Sequence, residues 1–131
     1  MAGKAKSREE RFILWFSEIG KDDVALVGGK NASLGEMYNN LSSLGVKVPN
    51  GFAVTTAAYK HFLSQAEIKE ALEGILEEIN SDLSNLDYVS TRARRLILSK
   101  SLPDDLQKEI GKAYRKLEEE FGGMIRQRNT P

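Results

Sequence analysis

A chain of 131 residues without cysteine has room for one modest core, and it excludes disulfides, thiolate metal sites and cysteine nucleophiles. Matched acidic and basic residues give a formal net charge of zero, which removes the electrostatic footprint of a dedicated nucleic-acid binder. With 40% hydrophobic residues, a charged start that lacks an apolar segment, and no apolar run near the ~20 residues of a membrane span, the chain reads as a soluble globular protein whose default location is the cytoplasm.

Residues 1–11 are polar and read as a flexible tail. Phe12–Phe16 is an aromatic and β-branched run, the pattern of a first buried strand. Ser17 to Leu26 reads as a loop that turns at Gly20-Lys21-Asp22-Asp23. A helix is expected over about 31–44, with Leu34, Met37, Leu41 and Leu44 at helical spacing and Gly45 as its left-handed cap. Pro49-Asn50-Gly51 is a turn, Phe52–Val54 a second strand, and Thr55 or Thr56 caps the next helix, along which Ala58, Tyr59, Phe62 and Leu63 recur. Ser64 and Glu67 have the spacing of a capping box ahead of a stripe through Ile68, Leu72, Ile75 and Ile79. After a polar break at Ser81 to Asn85, a second stripe uses Leu86, Val89, Ala93, Leu96 and Ile97. Ser101 and Asp104 open a third helix whose stripe is Leu106, Ile110, Ala113, Tyr114, Leu117 and Phe121, and Gly122-Gly123 ends it. This order gives an α/β (α+β) fold: a small sheet in a strand–turn–helix repeat, followed by three amphipathic helices. Residues 12–123 form the domain and 124–131 an unstructured tail. Burial is expected for Leu34, Met37, Leu41, Phe52, Val54, Phe62, Ile75, Leu96, Ile110, Tyr114 and Leu117.

The stretch Val27-Gly28-Gly29-Lys30-Asn31-Ala32-Ser33 carries the chemistry. Gly28 and Gly29 provide a tight turn, Lys30 follows, and the helix behind it presents unpaired amides at the positive end of its dipole. That combination suits a phosphate, with Asn31 and Ser33 able to add amide or hydroxyl contacts or to serve as caps. It is not a Walker A loop, because Val24 and Asn31 stand where that motif has a glycine and a Ser or Thr. On spacing alone a plain turn with a solvated lysine is the commoner outcome.

The run Val27 to Met37, followed by Leu44 to Tyr59 with its Val48-Pro49-Asn50-Gly51-Phe52-Ala53-Val54-Thr55-Thr56 core, closely resembles the start of the phosphoenolpyruvate synthase family. Pyruvate, phosphate dikinase and rifampicin phosphotransferase share the pattern. The resemblance is specific over about Leu14 to Leu63 and compatible as far as Phe121. It implies the opening of an ATP-grasp nucleotide-binding domain, with Lys30 contacting ATP phosphates. It further implies magnesium, held by acidic residues that this chain does not contain, and a gluconeogenic reaction in which a histidine of a central domain is phosphorylated and passes the group to pyruvate. The family's Val-Arg-Ser-Ser strand, expected near the end of this chain, is absent. The chain therefore reads as the front of a much larger enzyme, cut short.

The remaining polar residues have plainer readings. His61, the single histidine, lies in a helix without an orienting partner in sequence and reads as a surface or packed side chain. Asp22 and Asp23 read as turn chemistry, Glu118-Glu119-Glu120 and the Arg92, Arg94, Arg95 cluster as solvated helix faces, and Glu36 as facing a basic neighbour or water. Two functions stand. One is the amino-terminal fragment of a phosphoenolpyruvate synthase, inactive alone, that holds part of an ATP site. The other is a non-catalytic module that binds nucleotide or associates with the missing remainder of the enzyme.

Overall fold

The computed structural model describes residues 6–129, with side chains described as far as Gly122. The elements run β1 (Ile13–Trp15), α1 (Val24–Val27), α2 (Gly29–Ser43), β2 (Phe52–Val54), α3 (Thr56–Ala66), α4 (Lys69–Glu77), α5 (Leu86–Leu98) and α6 (Asp104–Asn129), with 3-10 turns at Phe16–Glu18 and Lys21–Asp23. The chain divides into two units, one of residues up to Tyr59 together with those from Asp105 onward, the other Lys60–Asp104.

In the first unit, β1 and β2 pair antiparallel with Ile13 opposite Val54, Leu14 opposite Ala53 and Trp15 opposite Phe52. The Trp15 and Phe52 rings meet edge to face at 5.4 Å, a favoured geometry for a cross-strand aromatic pair. Leu14, Ile19, Val27, Ala32 and Ala53 form the core, with Phe16 and Leu26 packed against it. Both strands are short because the chain leaves β1 directly into a 3-10 turn and enters α3 directly from β2. Thr55 sits at that second junction: its amide donates to the Phe12 carbonyl, its hydroxyl donates to the Arg11 carbonyl, and the same hydroxyl accepts from the Ala58 amide. The expected cap of this helix is thus Thr55.

The segment expected to be a plain loop is built from two 3-10 turns and α1. It is held by two arginines from the segment expected to be a tail. Arg11 makes a two-toothed contact with Glu18, at 2.6 and 2.9 Å, and Glu18 also accepts from the Trp15 amide. Arg8 bonds both carboxylate oxygens of Asp23 and the Glu18 carbonyl, while Asp23 accepts from the Gly20 amide. Hydrogen bonds from these arginines hold both carboxyls below their ordinary pKa.

Helix α2 meets this segment through an unexpected face. A Cβ on Gly35 would stand 2.5 Å from the Ile19 carbonyl oxygen and 2.6 Å from the Ile19 side chain. One turn on, the Asn39 amide nitrogen serves the carbonyls of Phe16, Ile19 and Gly35 at 3.0–3.1 Å. The inward row is therefore Ala32, Gly35 and Asn39, which permits a backbone-to-backbone approach that leucines would block. The Leu34, Met37, Leu41, Leu44 row is displaced outward: Met37 and Leu44 are exposed, and Leu34 and Leu41 half-buried. The helix ends as expected at Gly45, with the Val46 amide on the Leu41 carbonyl and the Gly45 amide on that of Ser42.

In the second unit, α4 and α5 pack together, and Phe62, Ile68, Leu72, Val89 and Ala93 are buried. Ser64 and Glu67 do not form the expected capping box. Ser64 lies inside α3, and Glu67 takes a positive φ of 56° where α3 gives way to the residues before α4. The α4–α5 connection is closed by Asn85, which donates to the Glu78 carbonyl and accepts from the Asn80 amide.

Helix α6 starts at Asp104 as expected, but its backbone continues through Gly122 and Gly123 to Asn129, past the expected end. Residues 130–131 of the expected tail, like 1–5 of the first, lie outside the described residues. Of the expected core residues, Phe62 is buried; Leu34, Leu41, Phe52, Ile75, Leu96, Ile110 and Leu117 are half-buried; and Met37, Val54 and Tyr114 are exposed. The exposed members sit one position around from smaller buried neighbours, Ala53 beside Val54 and Ala113 beside Tyr114.

Two measurements check this arrangement. Gly35→Ala should destabilise by about 1–3 kcal/mol or more, because the new methyl meets backbone that cannot swing aside, whereas Leu41→Ala at a half-buried site should cost less. Urea unfolding of both variants decides it, and a larger loss for Leu41→Ala would reverse the assignment of faces. The arginine clamps carry a pH signature. Glu18 and Asp23 have depressed folded pKa values, so their contribution is complete above the ordinary carboxylate pKa of about 4 and is lost as pH falls through the folded values. The difference in Tm between the native chain and an Arg8→Ala/Arg11→Ala variant should accordingly shrink from pH 7 to pH 3. A constant difference would show that the clamps act without their charges.

Candidate functional site

The Gly28–Asn31 turn is made where two helices meet end to end. Helix α1 closes when the Gly28 amide donates to the Val24 carbonyl at 2.8 Å, and α2 opens with the Ala32 amide on the Gly28 carbonyl at 3.0 Å. Between them Gly28 takes φ 84° and ψ 165°, a conformation essentially confined to glycine. This reversal leaves the amides of Gly29, Lys30 and Asn31 in the first turn of α2, where no carbonyl four residues earlier in the helix can receive them. Gly28, Gly29 and Lys30 are exposed, and Lys30 forms no ion pair among the described residues.

Two side chains brace the turn from behind. Asn31 donates to the Val27 carbonyl at 3.0 Å, so its amide works as a local strut. The Thr56 hydroxyl donates to the Ala25 carbonyl at 2.9 Å and ties α1 to the start of α3. Val27 is buried in the core. The turn thus combines the positive φ of Gly28 with packing and hydrogen bonds that hold it in place.

The structure places four of the five candidate residues, Gly28, Gly29, Lys30 and Asn31, on one turn. Ser33 lies one turn further along α2, exposed, where it lines an open groove of 430 Å³ with Lys21, Glu36, Met37, Asn40 and Leu41. Glu36 accepts from the Lys21 amide at 2.8 Å, pinning the 3-10 turn to α2. Sequence reasoning missed Thr56 and Glu36 as supports of this region. Both act on backbone groups distant in sequence, and no spacing rule reports such contacts.

The other polar candidates take structural roles. Asp23 is the partner of Arg8 and of a turn amide. Arg92 pairs with Glu78 at 2.9 Å and lies over the Tyr88 ring, while Arg94 and Arg95 are exposed. Glu118, Glu119 and Glu120 are exposed on α6, and His61 is half-buried on α3. Among the described residues, no group of three or more His, Cys, Asp or Glu side chains could hold a metal ion. Among the same residues, no helix is long and apolar enough to cross a membrane.

Residues 24–127 match the family model of the pyruvate phosphate dikinase AMP/ATP-binding domain. The chain is 43% identical over 116 residues to a phosphoenolpyruvate synthase from Synechocystis, covering 88% of this chain and 14% of that protein. Over 115 residues it is 41% identical to the phosphoenolpyruvate synthase of Aquifex aeolicus, covering 87% of this chain and 13% of the relative. The Escherichia coli phosphoenolpyruvate synthase is 40% identical over 106 residues, covering 80% and 13% respectively. The chain therefore spans only a small fraction of the length of these relatives. Its matched region begins with the helix pair that makes the Gly28–Lys30 turn and runs almost to the end of α6, and on this match the chain belongs to the family of the pyruvate phosphate dikinase AMP/ATP-binding domain.

Proposed function

We propose that the Gly28–Lys30 turn is one wall of an ATP site, a phosphate cradle, and that the chain serves as the amino-terminal part of a cytoplasmic phosphoenolpyruvate synthase with an ATP-grasp domain. The reaction of such an enzyme is ATP + pyruvate + water to AMP + phosphoenolpyruvate + phosphate, a step in gluconeogenesis. The observation that carries the reading is the junction of α1 and α2: a glycine-only conformation sets three first-turn amides and an exposed lysine, without an ion pair among the described residues, at a helix start. Amides and ammonium supply charge at fixed positions, which is the protein's main contribution to phosphoryl transfer. Gly28, Gly29 and Lys30 would contact the phosphates, Asn31 would hold the turn, and Ser33 would stand at its edge. The magnesium of the reaction would be held by residues in the remainder of the family's chain, so the isolated polypeptide would not turn over.

A second reading, a non-catalytic module that binds nucleotide or associates with further polypeptide, is favoured by the exposed row of Met37, Leu44 and Val46 along and beyond α2. Fragments of the related pyruvate, phosphate dikinase and rifampicin phosphotransferase would use the same turn.

Titration with ATP tests the cradle. A lysine and a helix end provide ~1–3 kcal/mol of charge-assisted contact, and a millimolar site requires about 4 kcal/mol. Binding should thus be millimolar or weaker, with the NMR signals of Gly28 to Ser33 moving first and Lys30→Ala abolishing the response. Tight, magnesium-dependent binding that survives Lys30→Ala would place the site elsewhere on the chain.

The two glycines should separate cleanly. A Cβ meets nothing within 4 Å at either position, but only Gly28 has positive φ. Gly28→Ala should therefore cost about 1–3 kcal/mol of stability and the ATP response with it, while Gly29→Ala should be neutral or slightly stabilising. Thermal melts of the two variants supply the check, and equal effects would contradict the geometry of the turn.

A further inference from the structure

Away from the residues of the Gly28–Lys30 turn, β1, the residues before it and α6 line a half-open pocket of 250 Å³ that includes Lys6, Arg11, Lys112 and Lys116 against the single carboxylate of Glu109. In a chain without net charge, this is a local excess of cations. Arg11 is committed to Glu18 at 2.6 Å, but Lys6, Lys112 and Lys116 form no ion pair among the described residues. Two of these ammonium groups rest on aromatic faces instead: Lys6 lies 4.3 Å from the Phe12 ring centre and Lys116 5.1 Å from that of Trp15. A ring face attracts an ammonium without neutralising its charge, and the remaining N–H groups stay available to an acceptor. The wall behind them is firm. Trp15 is paired with Phe52 at 5.4 Å, and its amide is held by Glu18. Lysines held on apolar walls around a concavity focus a positive potential into it.

We infer that this pocket is an anion site for a compact phosphate-class ligand, separate from the turn that opens α2. Its volume suits a phosphate or diphosphate group rather than a whole nucleotide, and lysine ammonium groups bind phosphate as point charges without demanding one orientation. The ligand chemistry is the same whether the group is free or is the end of a larger molecule.

NMR titration of the 131-residue chain with inorganic pyrophosphate, and separately with ATP, tests the site. Both are run against sodium chloride at matched ionic strength. The Trp15 indole N–H and the amides of Lys112 and Lys116 should shift saturably with pyrophosphate and stay still in chloride. A response to pyrophosphate alone identifies a free anion as the ligand, and a response to both identifies a terminal phosphate group. Lys112→Gln/Lys116→Gln should weaken the response by about fivefold or more, a size set by charge-assisted contacts at an accessible site. Lys112→Arg/Lys116→Arg should retain it. These are exposed helix positions at which all three residues are good helix formers. Lys30→Ala should leave the Trp15 response intact, which separates this site from the proposed ATP cradle. The inference is overturned if Trp15 responds to neither anion, if it responds equally to chloride, if the double glutamine variant binds unchanged, or if Lys30→Ala abolishes the signal.

Discussion

The approach of α2 to the Ile19 carbonyl is the constraint on which the first unit depends. At Gly35 the helix comes so near that no side chain fits, and Asn39 fills the next turn with an amide that serves three carbonyls. In the first 3-10 turn after β1 the Phe16 carbonyl receives a single backbone amide, from Ile19, and burying carbonyls short of donors would be costly. Asn39 meets that need for Phe16 and Ile19. Removing bulk from one position and adding a polar group one turn later are therefore two parts of one solution. The rest follows in order: with α2 held here, α1 must end at Gly28, and the first turn of α2 is presented at the surface.

The segment between β1 and α1 is fastened from both sides. Glu36 of α2 accepts the Lys21 amide, and Arg8 and Arg11 fork onto Asp23 and Glu18 from the residues that precede β1. Forked guanidinium–carboxylate contacts fix orientation as well as distance. Because Glu18 and Asp23 also accept backbone amides, each carboxylate joins a side-chain partner to the shape of a turn. A stretch with little regular secondary structure thereby becomes a defined platform for the helix behind the candidate site.

Much of this was legible from sequence, and the failures share a cause. Both strands, the cap at Thr55, the glycine end of α2 and the start of α6 were signalled by local chemistry and were found within a residue or two. Gly28 makes the expected turn into a helix, but Gly29 is already helical, so α2 begins two residues before the expected start. The inward face of α2 was misread because periodicity weights large apolar side chains, whereas a close helix–backbone contact selects the small residues between them. Leu34 and Leu41 are half-buried and Ala32 and Gly35 fully buried for that reason. Arg8 and Arg11 looked like a polar tail because a salt bridge to a residue many positions away leaves no trace in spacing. The spacing of Ser64 and Glu67 is that of a capping box, but Glu67 is the point where the backbone turns out of α3.

The positive-φ glycine at the head of α2 also bears on how the turn would respond to a ligand. Gly28 is held in its conformation by hydrogen bonds on both sides and by the Asn31 strut before anything binds. The conformational entropy of ordering these amides is thus spent during folding. A phosphate arriving there would lose little affinity to loop ordering, and weakness would reflect too few contacts rather than a mobile site. Any further polypeptide that brought cations to the same phosphate would add its contacts to a surface already in place, so the gain from each would reach the observed affinity almost undiminished.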